Sequence, residues 1–261
     1  MKKIIILFLF CSLVWSEESI DLLNKAKEIY EKTTKTQKIE EIEIYNQIAQ
    51  ILKEALQKTE DKEIKKQIYP LLIETLDLIA EYKEKHKAMK EYAQLIYPEE
   101  REKQAEYLKE YADKLKEKGE IGEAISLYRF IIFNFIDIKI TLNCCFIIVE
   151  ILEGEGDIKK AADELLNFAF KFSEDEKIVV LIIEAAKKYK NIKNYKKAIE
   201  CLERVINEYK NVSKTEDALF AIGFYYEEMG NKNKAEEFWR KYIEVYPNGK
   251  YISIINAQLK K

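Results

Sequence analysis

Turn-forming residues are scarce. Seven glycines and three prolines in 261 residues are too few for a sandwich, barrel or propeller, whose many tight turns draw on both. One histidine and four cysteines leave little for a histidine-based catalytic dyad or a His-rich metal site. No two cysteines stand at the C-x-x-C spacing of a metal knuckle. Gly-rich phosphate loops, a nucleophile elbow and the HExxH motif are all missing. Neither sign of charge dominates: 44 Lys and Arg face 47 Asp and Glu, a net −3 spread along the chain. That excludes a nucleic-acid binder working by phosphate neutralisation. What the chain has is 35% charged and 48% hydrophobic residues, too apolar for a disordered chain. Lys, Glu, Ile and Tyr are abundant. The composition points to a long, helical, non-enzymatic protein that needs no cofactor, no metal and no small-molecule substrate.

Long apolar runs are also few. Lys2 and Lys3 precede the run Ile4–Trp15, which is broken only by Ser12. As a helix the run reaches about 18 Å, against about 30 Å for a bilayer core. Residues 1–16 therefore read as an export signal with cleavage before Glu17, which predicts an exported, periplasmic or envelope-associated protein. Cys11 raises a lipid anchor, but Phe10 stands where that processing wants a small residue. A soluble exported form, an uncleaved anchor and a lipid anchor stay open, in that order.

One motif recurs through the remainder: a Gly, four residues, then an Ala that opens a helix. It occurs at Gly119–Ala124, Gly156–Ala161 and Gly230–Ala235, and Lys193–Ala198 fills the same slot without Gly. The four alanines are spaced 37 residues apart. Four residues after each comes a large side chain (Tyr128, Leu165, Leu202, Trp239), and nine before it stands Leu115, Leu152, Tyr189 or Tyr226. Each unit reads as two helices, with the small Ala letting the trailing helix approach the leading one. A single hairpin cannot bury its own apolar face, so stacked neighbours must supply the core. Ser173 with Glu176 and Ser213 with Glu216 read as capping boxes. Asp157 and Asn231 read as N-caps of trailing helices. Gly119, Gly154 and Gly230 read as helix ends.

Leu219, Ile222, Gly223 and Tyr226, followed by Ala235, Trp239 and Pro247, resemble the tetratricopeptide repeat pattern, and the three earlier units follow it less fully. Pro70–Tyr97 resembles a further unit anchored on Ala88, with Tyr92 four residues on. The stretch Trp239–Tyr251 is similar to repeats of bacterial envelope proteins, the periplasmic Tol-Pal-associated coordinator and outer-membrane assembly lipoprotein families. The missing lipid-attachment signal favours the coordinator-like branch. That branch's N-terminal coiled coil has no sustained heptad run to match it between Glu17 and Gln57. The resemblance implies an all-α, right-handed α-solenoid of tetratricopeptide-like hairpins. Its layout is an irregular helical segment over 17–69, about five repeats over 70–249 and a capping helix over 250–261.

The resemblance further implies a concave groove lined by leading helices, where the family binds peptides or partner helices. Groove positions 15 residues before each anchor are Lys109, Phe146, Ile183 and Phe220. Those 11 before are Asp113, Glu150, Lys187 and Phe224. Asn143, Asn191, Asp217 and Glu227 complete the set. Phe146, Ile183 and Phe220 would form an apolar ladder for a partner, or else lie in the core. Glu150, Asp217 and Glu227 would select a basic or amide-bearing partner.

Cys144 and Cys145 are neighbours on a leading helix and point about 100° apart, so they read as buried free thiols. A disulfide from either to Cys201 is the alternative in an oxidising compartment. His86 lies in the charged stretch Lys83–Lys90, which reads as solvated. Glu99–Glu100 and Glu227–Glu228 are adjacent on their helices and do not face each other. The reading is a non-catalytic cell-envelope scaffold that binds a protein or peptide partner through the groove, with self-association as a second mode. A membrane-anchored assembly factor for outer-membrane proteins and an accessory subunit of an envelope enzyme are the alternatives.

Overall fold

The 37-residue period is built as helix, tight turn, helix. The computed structural model describes residues 17–33, 38–136, 138–172, 174–210, 212 and 214–260. The export signal read over 1–16 and Cys11 lie outside the described residues. Thirteen α-helices and no strand occur among the described residues, and none of these helices is long and apolar enough to cross a membrane. The chain divides into two compact units, Met1–Lys118 and Gly119–Lys261. Within each, consecutive helices pack on one another as far as Val245.

The C-terminal unit holds α6 (Ile121–Asn134), α7 (Lys139–Gly154), α8 (Ile158–Ala169), α9 (Asp175–Asn191), α10 (Tyr195–Glu208), α11 (Thr215–Glu228), α12 (Lys232–Val245) and α13 (Ile252–Gln258). Gly156 and Gly230 make the turns after α7 and α11 with φ of 83° and 78°, left-handed values that glycine adopts without a Cβ clash. Gly154 does not make the first of these turns; it is the last residue of α7. In the third repeat Lys193 takes the same left-handed slot, at φ 58°. Trailing helices then start on side-chain caps: Asp157, Asn194 and Asn231 accept hydrogen bonds from the amides of Lys160, Lys197 and Lys234. Each cap satisfies an amide that the first helical turn leaves open. Ser173 and Ser213 lie outside the described residues. The N-cap positions of α9 and α11 fall to Glu174 and Lys214, neither of which makes a side-chain cap bond. Glu216 accepts from Tyr242 Oη and the Lys250 amide.

Ala124, Ala161, Ala198 and Ala235 are all buried, as are Tyr128, Leu165, Leu202 and Trp239. Burying each large side chain contributes about 1.5–3 kcal/mol. The fit between helices is steric. A Cβ on Gly223 would lie 2.4 Å from the Trp239 indole, so the largest core side chain of α12 is admitted only because α11 has no side chain opposite. Ala186 and Leu202, and Val149 and Leu165, repeat that spacing with a larger residue on the leading helix and a smaller one on the trailing helix. Successive repeats are also joined by a hydrogen bond that the sequence reading missed. Thr141 Oγ1 donates to the Phe135 carbonyl and Thr215 Oγ1 to the Tyr209 carbonyl, both at 2.7 Å. These carbonyls end the preceding trailing helices and also accept from the Ile138 and Val212 amides, so each threonine adds a second donor at the helix end.

The N-terminal unit holds α1 (Glu17–Thr33), α2 (Lys38–Lys58), α3 (Lys62–Leu78), α4 (Tyr82–Ile96) and α5 (Arg101–Glu117). Pro70 lies inside α3, so a boundary between 69 and 70 would cut a helix. Asp61 caps α3 through the amides of Glu63 and Ile64. Ala80 takes the left-handed turn between α3 and α4, at φ 58°. Counted from that turn, the position of the small anchor falls on Lys85 rather than Ala88. Lys85 is 0% exposed. Its ammonium pairs with Asp77 and lies 5.7 Å and 5.1 Å from the ring centroids of Tyr82 and Tyr111. His86 beside it is 2% exposed, which corrects the solvated reading of Lys83–Lys90: α4 turns this end of its charged run inward. Burial, with the neighbouring Lys85 charge adding to it, lowers the His86 pKa to about 4.

Candidate functional site

The leading helices α7, α9 and α11 of the C-terminal unit carry the groove positions. On α7, Asn143, Phe146 and Glu150 are spaced three and four apart and share a face. Asn143 and Glu150 are exposed and Phe146 is half-buried. On α9, Lys187 and Asn191 are exposed, whereas Ile183 is 9% exposed and belongs to the core. On α11, Asp217, Phe220, Phe224 and Glu227 are half-buried. Among the described residues, Asn143, Glu150, Asn191 and Glu227 have no side-chain hydrogen bond or ion pair, and Lys187 reaches only Glu184 of its own helix, at 2.5 Å.

Ion pairs hold these helices in register. Lys188 of α9 meets Glu153 of α7 at 2.7 Å, and Lys190 of α9 meets Glu228 of α11 at 3.0 Å. Each half-exposed pair adds about 0–1 kcal/mol. Their role is to set the orientation of the polar row rather than to supply stability.

The apolar ladder does not form one open strip. Ile183 is inside, and Phe220 is met by the chain itself. The Tyr251 ring stacks on Phe220 with centroids 4.0 Å apart and planes at 12°, and its hydroxyl donates to Asp217 at 2.9 Å. Lys250 Nζ lies 2.5 Å from the same carboxylate. The Tyr251 amide donates to Tyr242 Oη, and Tyr242 in turn donates to Glu216. The segment after α12 thus fills the face at Asp217 and Phe220, leaving the open part on α7 and α9. A tyrosine following the Pro247–Asn248–Gly249 turn was the available signal, since a further leading helix would begin there. Its acceptor, Asp217, is 34 residues away in sequence and gives no local hint.

Chemically the open face offers carboxylate, ammonium and carboxamide groups that can pair with the polar groups of a peptide. It sets no nucleophile beside a base. Cys144, Cys145 and Cys201 are buried, and no disulfide joins them. Burial pushes the Cys145 thiol well above its ordinary range and the Cys201 thiol up to about 11, which keeps both protonated and weakly nucleophilic. Among the described residues, no three His, Cys, Asp or Glu side chains group as metal ligands.

Residues 185–211 and 217–249 match the tetratricopeptide repeat family; they span the end of α9 with α10, and then α11 with α12. No curated protein is significantly similar to the chain. Several solved structures resemble it at low identity. BtubC from P. vanneervenii is 10% identical, with 89% of this chain and 91% of that one covered and a TM-score of 0.42. The C-terminal part of a TPR repeat-containing protein from Cytophaga hutchinsonii is 16% identical, with 87% and 81% covered and a TM-score of 0.38. MamA from Desulfovibrio magneticus, from residue 41 on, is 14% identical, with 71% and 97% covered and a TM-score of 0.34.

Proposed function

We propose that this chain, which carries tetratricopeptide repeats, is a non-catalytic adaptor of the cell envelope that holds a protein partner on the leading-helix face of its C-terminal unit. The observation behind this is the exposed row Asn143, Glu150, Lys187 and Asn191 on the leading helices that carry half-buried Phe146: Asn143, Glu150 and Asn191 make no side-chain bond among the described residues, and Lys187 reaches only Glu184 of its own helix. Packing and the Lys188–Glu153 and Lys190–Glu228 pairs fix the helices beforehand, so a partner meets a rigid surface and little ordering entropy is lost on this side. Phe146 supplies the apolar anchor, and Glu150 favours a basic or amide-bearing segment. The export reading rests on Lys2, Lys3 and the run Ile4–Trp15.

Affinity capture from the cell envelope, run with wild type and a Phe146→Ala/Glu150→Lys variant, tests the reading. A partner held by wild type and lost by a variant of unchanged helicity is the expected result. Equal retention by both would remove the site from this face. N-terminal sequencing of the exported protein tests the leader: a start at Glu17 is expected, and a lipid on Cys11 would refute it.

A further inference from the structure

Two of the most exposed large hydrophobic side chains occupy one register position of the repeat. Phe133 lies in the last turn of α6 and Phe170 follows α8, both nine residues after an anchor alanine, and they are 55% and 65% exposed. Each carries a cation from the next repeat. Lys171 Nζ lies 5.4 Å from the Phe133 centroid, and Arg204 Cζ lies 4.6 Å from the Phe170 centroid. Because Lys171 directly follows Phe170, the two contacts, Phe133–Lys171 and Phe170–Arg204, make one line joined through the backbone. It runs across three successive trailing helices at their C-terminal ends, away from the leading-helix positions described above.

The two cations differ in how far they are satisfied. Arg204 is held by Glu208 at 2.8 Å and reaches Tyr209 Oη at 3.5 Å. Lys171 has no carboxylate partner among the described residues. Neither phenylalanine contributes to the core, and a solvated Phe with an ordered cation on one side gains only about 0.5–1 kcal/mol from that contact. In the last two repeats the same position is Asn207 and Glu244, so the line stops where the aromatic residues stop.

We infer that this line is a second docking surface, and that its occupant is an acidic peptide segment carrying spaced aromatic or large aliphatic residues. The apolar residues of the segment would cover the open faces of Phe133 and Phe170, while a carboxylate meets Lys171. Charge complementarity selects a segment over an anionic lipid surface. Exposed Glu174 and Glu208 flank the cations, and a continuous negative surface would have to meet them as well, whereas a segment with spaced carboxylates meets only the cations.

The test is a fluorescence-anisotropy titration of the full chain with a labelled synthetic amphipathic peptide of glutamate, phenylalanine and leucine. The lysine counterpart of that peptide and vesicles of phosphatidylcholine with phosphatidylglycerol are run in parallel. The acidic peptide alone should bind wild type. A Phe133→Ala/Phe170→Ala variant should weaken it about tenfold, in line with the loss of two aromatic anchors. Lys171→Glu should weaken it at least as much. All three positions are solvent-facing, so circular dichroism should be unchanged, and Lys171→Glu removes no apolar side chain. No binding by wild type, or equal binding by the variants, overturns the proposal. Vesicle binding lost in the same variants also overturns it, in favour of a lipid surface.

Discussion

The two units solve one packing problem in opposite ways. Where a trailing helix crosses its leading partner, the C-terminal unit places Ala161, Ala198 and Ala235, so that the helices approach and Leu165, Leu202 and Trp239 fill the space alongside. The N-terminal unit places Lys85 there and buries it completely, with Asp77 and two tyrosine rings taking the charge. The same backbone position thus accepts either a methyl group or an ammonium on a four-carbon stem. The difference is what reaches the slot: at Lys85 an acid eight residues earlier and two tyrosine rings meet the ammonium, whereas Glu153, at the same offset from Ala161, is paired with Lys188 instead.

Exchanging the two solutions should break the comparison most sharply. Ala198→Lys puts a lysine where the residue eight earlier is Lys190 rather than an acid. Burying that charge unpaired should cost about 3–5 kcal/mol, read as a lowered urea midpoint. Lys85→Met, which keeps the stem and removes the charge, should be near neutral or stabilising. A mild effect of Ala198→Lys would mean that the anchor slot is not sterically closed.

Acid sharpens the comparison next, because His86 is the only histidine and belongs to the N-terminal unit. Its folded pKa of about 4 lies below the ordinary value of about 6.5. The unfolded chain therefore binds a proton that the folded one refuses. Stability should be full above about pH 6.5 and fall by up to about 3 kcal/mol as the pH drops towards 4. Urea unfolding across that window should show the loss in wild type and not in His86→Gln. A loss of equal size in the variant would assign it to other groups.

The smallest expected effect lies inside the C-terminal unit. Lys193 holds the left-handed turn that Gly156 and Gly230 hold in the neighbouring repeats. Lys193→Gly should raise stability by about 1 kcal/mol, the strain of a Cβ in that conformation, and Gly156→Ala should lower it similarly. Thermal unfolding of the pair measures both, and a Lys193→Gly variant no more stable than wild type would mean that the lysine turn is unstrained.

The regular repeats were legible because their information is local and periodic. A small residue every 37 positions, a large one four later and a cap four before the anchor each act within one hairpin, so spacing alone reveals them. The reading failed where the register depends on conformation. Ala88 is small and follows a plausible gap, yet the turn at Ala80 moves the anchor to Lys85. A lysine in a charged run carries no sign that Asp77, Tyr82 and Tyr111 will enclose it. The groove was legible as a set of helix faces, and Asn143, Glu150, Lys187 and Asn191 are exposed there. Ile183 and Phe220 are hydrophobic at the same period, but one is covered by packing and the other by Tyr251.

By itself the sequence determined that the chain is helical, that its hairpins repeat every 37 residues, and which positions in each hairpin must be small, large or capping. Those properties follow from turn chemistry and side-chain volume acting over a few residues. Only the tertiary structure decided which charges are buried, which aromatic faces the chain covers for itself and which stay open to a partner. Those outcomes depend on contacts between residues 8 to 38 positions apart, where desolvation and packing, rather than local preference, set the energy.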